Sequence, residues 1–129
     1  NLISRYHIPL PSMDFLKLIQ NKANASTDIS DGLLVDLNNI CEMSKLGAEI
    51  SFSKIPKSSD VKRFISKNIK YEKLILTGGD DYQILFTGPK DLDNYENVTN
   101  IGKMTTEKGI KIIDRDFSDL IKGYSHSLY

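Results

Sequence analysis

Ala25-Ser26-Thr27-Asp28-Ile29-Ser30-Asp31-Gly32-Leu33-Leu34 is a short β-forming stretch that runs straight into a tight turn and then into a helix. Thr27 and Ile29 suit a strand, and Asp31-Gly32 interrupts it. From Leu33 onward, Leu37, Ile40, Cys41 and Ser44 recur at spacings of three and four and trace one helical face, with Gly47 standing where a left-handed C-terminal cap is expected. Upstream, Pro9-Leu10-Pro11 holds an extended entry, and Ser12 caps a helix that carries Phe15, Leu16 and Ile19 on one side and ends near Asn21. Downstream, Ala48, Ile50 and Phe52 alternate with Glu49, Ser51 and Ser53, which predicts a half-buried strand closed by Pro56. Ser58 or Ser59 opens a further helix with Val61, Phe64 and Ile65 inward, whereas 70–76 fits neither period. The stretch 82–87 reads as a buried strand ended by Gly88-Pro89, and 90–95 as about two helical turns. The segments 97–104 and 109–115 read as a closing β-hairpin that turns at Glu107-Lys108-Gly109. Helices and strands intermix without a βαβ repeat, so the expected fold class is α+β, with a mixed, mostly antiparallel sheet and packed helices.

At 129 residues there is room for one domain and a modest core. Seventeen Lys and Arg balance seventeen Asp and Glu, so no overall cationic field draws the chain to nucleic acid or to an anionic membrane. No apolar run approaches the roughly 20 residues that span a bilayer. The single cysteine, Cys41, can make neither an internal disulfide nor a thiolate zinc cage, which fits a reducing, cytoplasmic setting. The opening Asn1-Leu2-Ile3-Ser4-Arg5-Tyr6 has no initiator Met and no signal-peptide pattern, which points to a segment of a longer chain.

Two acidic turns are the candidates for chemistry. In an extended segment Asp28 and Ser30 point to the same side, while Asp31 falls beside the start of the helix. Two carboxylates and a hydroxyl suit a hard cation such as Mg²⁺, which keeps some waters and takes phosphate oxygens as further ligands. The free N–H groups of a helix start favour an anion. The bland alternative is that Ser30 or Asp31 is an ordinary N-cap and Asp28 a surface residue. The second turn, Thr77-Gly78-Gly79-Asp80-Asp81-Tyr82, sets adjacent acids at the mouth of a strand, and these repel unless a cation or donor relieves them; Gly-Gly-Asp is also common turn composition. His7 and His126 have no partner at metal-ligand spacing, Cys41 lies on the inward face of its helix, and Lys67, Lys70 and Lys73 read as a solvated rim. No Walker-type loop, dinucleotide fingerprint, nucleophile elbow or zinc-protease motif is present.

The residues from Asp28 to Leu33, followed by Asp36-Leu37, and the run Gly78-Gly-Asp-Asp-Tyr-Gln-Ile-Leu-Phe-Thr87 closely resemble the C-terminal domain of the thiamine-monophosphate kinase family. The proline-rich entry, Ser44-x-x-Gly47-Ala48, Ile55-Pro56 and Gly123-Tyr124-x-His126 extend the likeness over nearly the whole chain. The resemblance implies a fold like the C-terminal domain of aminoimidazole-ribonucleotide synthetase, a relative in the same superfamily. It implies an ATP- and Mg²⁺-dependent phosphorylation of thiamine monophosphate to thiamine diphosphate. By the family pattern Asp28 and Asp31 bind Mg²⁺, Ser30 contacts ATP, and Asp80 and Tyr124 contact the substrate. Asp80 stands where the family usually has Glu, and Ser127-Leu128-Tyr129 departs from the usual Phe after the His. The same pattern implies that residues 1–129 form one C-terminal domain. Most of the nucleotide site would then lie in an N-terminal domain outside this chain, the complete enzyme would be a homodimer, and the isolated piece would be inactive. The competing readings are another ATP-dependent synthetase of the superfamily and a non-catalytic binding or assembly module.

Overall fold

A computed structural model describes residues 13–78 and 83–119. Helix α1, Met13–Lys22, leads into strand β1, Ala25–Asp28, and then helix α2, Leu33–Ser44; strand β2 follows at Gly47–Ile50. After a 3₁₀ turn at Phe52–Lys54 come helix α3, Ser59–Lys67, a second 3₁₀ turn at Ile69–Tyr71 and the one-turn helix α4, Leu74–Thr77. Strand β3, Ile84–Thr87, a 3₁₀ segment at Lys90–Asn94, and strands β4, Gly102–Thr105, and β5, Gly109–Ile112, complete the order. Ser58 caps α3, accepting a hydrogen bond from the Val61 N–H at 3.2 Å.

Two small sheets result. β1 pairs antiparallel with β3, placing Asp28 opposite Ile84. In the other sheet β2 is central, antiparallel to β4 and parallel to β5. The α+β class with mostly antiparallel strands holds, but the expected closing hairpin does not: β4 and β5 lie on opposite sides of β2. Ala48 and Ile50 are both buried, and a central strand flanked on both sides keeps them from water while satisfying both of its backbone edges. Gly47 has a correspondingly different role from a helix cap. A Cβ there would come within 1.9 Å of the Glu107 carbonyl oxygen, because the β4–β5 connection passes over the start of β2. The left-handed cap is Lys45, at φ 57°.

Leu33, Leu34, Leu37 and Cys41 of α2 form one core with Ala48 and Ile50 of β2, Phe52, Leu76 of α4, Ile110 of β5 and Phe117. Ile29 and Leu85, from the first sheet's strands and their edges, pack against the same core, so α2 ties the two sheets together. Three burial expectations are corrected. Phe64 is 52% exposed and stacks at 5.5 Å on Tyr71, because α3 lies on the rim and buries none of its residues. β3 is half-buried along its length, being one strand of a two-stranded sheet. Ser51, expected to face away, is buried, and its hydroxyl donates to Asp114 at 2.7 Å.

Candidate functional site

The turn between β1 and α2 is built by a residue that carries no obvious motif signal. Asp36, 3% exposed in the first turn of α2, accepts hydrogen bonds on one carboxylate oxygen from the Ser30 N–H at 3.0 Å and the Asp31 N–H at 3.1 Å. A carboxylate near a helix N-terminus is favoured by the backbone dipoles there, and here it also fixes the approaching chain. Gly32 then occupies the N-cap with φ 115° and no side-chain cap bond. The Ser30 and Asp31 side chains are therefore not serving as N-caps. Asp28 and Asp31 are exposed and Ser30 is half-buried.

Gly32 also lets the end of α4 approach the first acidic turn. A Cβ on it would sit 2.8 Å from the Thr77 carbonyl oxygen, so only glycine permits both the backbone angle and this contact with the end of α4. On the other side of the turn, the Ile29 N–H donates to the Gln83 carbonyl at 2.8 Å. Both ends of the segment 79–82 are thus tied to the 28–33 corner. Asp80 itself lies outside the described residues, as do Tyr124, His7 and His126.

Among the described residues no group of three or more His, Cys, Asp or Glu side chains is placed to hold a metal ion by itself. The donors at this turn are all oxygens, two exposed carboxylates and a hydroxyl, a chemistry that suits a cation that keeps waters and shares phosphate ligands. Thiolate chemistry is not on offer: Cys41 is buried in the core, and burial pushes its thiol above the usual range. Sequence patterns missed Asp36 as a builder of the turn; the available signal was an acid in the first turn of a helix whose N-cap is glycine.

No protein-family model matches the chain. Among curated proteins it is 38% identical over 127 residues to the thiamine-monophosphate kinase of Aquifex aeolicus, covering 97% of this chain and 41% of that protein. It is 32% identical over 138 residues to the Escherichia coli K12 protein of the same name, covering 97% and 42%. The chain therefore spans about two fifths of the length of these relatives. Among solved structures it superposes with TM-score 0.74 on one described as AaThiL complexed with AMPPCP and TMP, at 38% identity over 89% of this chain and 38% of the other. Against the thiamine-monophosphate kinase of Stenotrophomonas maltophilia the TM-score is 0.67 at 27% identity, covering 79% and 35%. No helix among the described residues is long and apolar enough to cross a membrane.

Proposed function

The chain is homologous to thiamine-monophosphate kinases over their C-terminal portion, and from that premise we propose that it supplies the acidic half of an active site that moves the γ-phosphoryl group of ATP onto the phosphate of thiamine monophosphate. The observation that carries the proposal is that the residues flanking the second acidic segment lie against the first acidic turn, with Gly32 against Thr77 and Ile29 bonded to Gln83. Asp28 and Asp31 would hold Mg²⁺, Ser30 would contact the ATP phosphates, and Asp80 and Tyr124 would contact the substrate.

In the reaction an oxygen of the acceptor phosphate bonds to the γ-phosphorus as the bond to the β–γ bridging oxygen breaks, giving thiamine diphosphate and ADP. The acceptor is already largely ionised at neutral pH, since the second phosphate pKa lies near roughly 6, so no general base is demanded of the protein. Positioning and charge neutralisation remain. Bound Mg²⁺ would offset the repulsion between two anions brought into line. Asp36 and Gly32 contribute by holding Ser30 and Asp31 at fixed positions, so that the donors need not reorganise as charge moves.

The remaining length of the relatives is proposed to be an N-terminal domain carrying most of the nucleotide site. The complete enzyme is proposed to be a cytoplasmic homodimer, with residues 1–129 as its C-terminal domain. A chimera in which this chain replaces the matching portion of the Aquifex aeolicus relative tests the reading. Thiamine diphosphate should form from thiamine monophosphate and ATP but not from thiamine, and Asp28→Asn or Asp31→Asn should lower the rate by about a hundredfold or more. A folded chimera that makes no thiamine diphosphate, or one indifferent to both substitutions, contradicts it.

A further inference from the structure

Where the chain leaves β2, the 3₁₀ turn at Phe52–Lys54, helix α3 and the segments bearing Glu72 and Arg115 surround an open cleft of about 270 Å³. It shares no lining residue with the corner at 28–36. Lys57, Lys62 and Arg115 line it with one carboxylate, Glu72; with Asp114 near enough to act on Lys57, three cations face two carboxylates.

The Lys57 ammonium is fixed in place, donating to the carbonyls of Phe52 at 2.6 Å and Ile55 at 3.0 Å and lying 4.3 Å from the Phe52 ring centre. Those acceptors are neutral, so its charge is not cancelled, and one of its three N–H bonds remains for another partner. Burial lowers its basicity, and the neighbouring positive charge of Lys62 lowers it further. Arg115 approaches Glu72 only to 3.8 Å, longer than the 2.7–2.9 Å typical of a close charge-assisted bond. Asp114, next along the chain, accepts from the Ser51 hydroxyl and the N–H groups of Phe52 and Ser53, neutral donors that leave its negative charge in place and acting on Lys57. Three cations around one hollow, offset only in part by Glu72 and Asp114, favour the entry of an anion.

We propose that this cleft binds a small molecule bearing a phosphate dianion, with the phosphate oxygens meeting Lys57, Lys62 and Arg115 and the remainder lying against Ile65. Three cationic donors around one hollow suit the oxygens of a phosphate monoester or of inorganic phosphate, both charge-assisted acceptors. This goes beyond phosphoryl transfer at the acidic corner and does not depend on it.

Amide NMR titration of the 129-residue chain, without divalent metal and at constant ionic strength, tests the site with two probes, inorganic phosphate and phenyl phosphate. Both are expected to give saturable shifts at Ser53, Lys57, Ser66 and Arg115, and tighter binding of phenyl phosphate would identify an ester as the ligand. Lys62→Gln and Arg115→Gln should each weaken binding about tenfold, whereas Lys17→Gln and Asp28→Asn should leave it unchanged. Shifts that never saturate, or affinity that survives both cleft substitutions in a chain whose spectrum is otherwise unaltered, would overturn the proposal. Loss of binding with Asp28→Asn would overturn it too, by assigning the anion to the other site.

Discussion

Asp36 takes no part in the proposed chemistry, yet it decides where Ser30 and Asp31 stand. Its buried carboxylate satisfies two backbone donors that have no helical partner, and a cavity in its place would leave both unpaired. Asp36→Ala should therefore cost about 2–3 kcal/mol in urea unfolding, and Asp36→Asn less, because an amide oxygen still accepts. Asp114 does comparable work beside β2. Its carboxyl is held well below the usual carboxylate range, first by the Ser51 hydroxyl, then by the Ser53 hydroxyl and the N–H groups of Ser53 and Phe52. The unfolded chain takes up this proton near roughly pH 3.9, the folded chain only at lower pH, so the stabilisation is complete above the unfolded value and fades as pH falls below it. Unfolding midpoints measured from pH 6 downward should show that acid-side loss in the native chain and a shallower one in Asp114→Asn. Both acids were invisible as structural devices in the sequence, because each bonds to backbone whose position depends on the fold.

At the scale of elements, helices and strands were legible wherever a local period or cap defined them. Ser58 capping α3 and the apolar face of α2 are examples. Pairing was not: the alternation of 102–105 and 109–112 and the turn residues Glu107-Lys108-Gly109 are the same whether the two strands pair or flank a third. What separates the cases is Gly47, whose missing side chain lets the connection cross the start of β2. Gly47→Ala should lower stability by at least about 2 kcal/mol, since the obstructing atom belongs to backbone that must move. A thermal melt indistinguishable from that of the native chain would argue against the crossing. The rim helix α3 shows the opposite limit. Its apolar face was read as inward, but among the described residues Phe64 stacks on Tyr71 and Ile65 borders a cleft.

Among the described residues, α2 joins two sheets, and its N-terminus is the point at which the first acidic turn meets Thr77 and Gln83, the flanks of the second acidic segment. The residue types at that point were readable because strand, turn and helix there are local. Their meeting was not, since it rests on Gly32 touching Thr77 and on β1 pairing with β3. The most direct measurement is paramagnetic broadening of amide signals by Mn²⁺ in the presence of AMPPCP. A shared metal site predicts that Ser30, Asp31 and Gly32 broaden together with Gly78 and Gln83 at the same metal concentration, and that Asp28→Asn with Asp31→Asn abolishes the effect at both. Broadening confined to one of the two segments, or unchanged in the double variant, would contradict it.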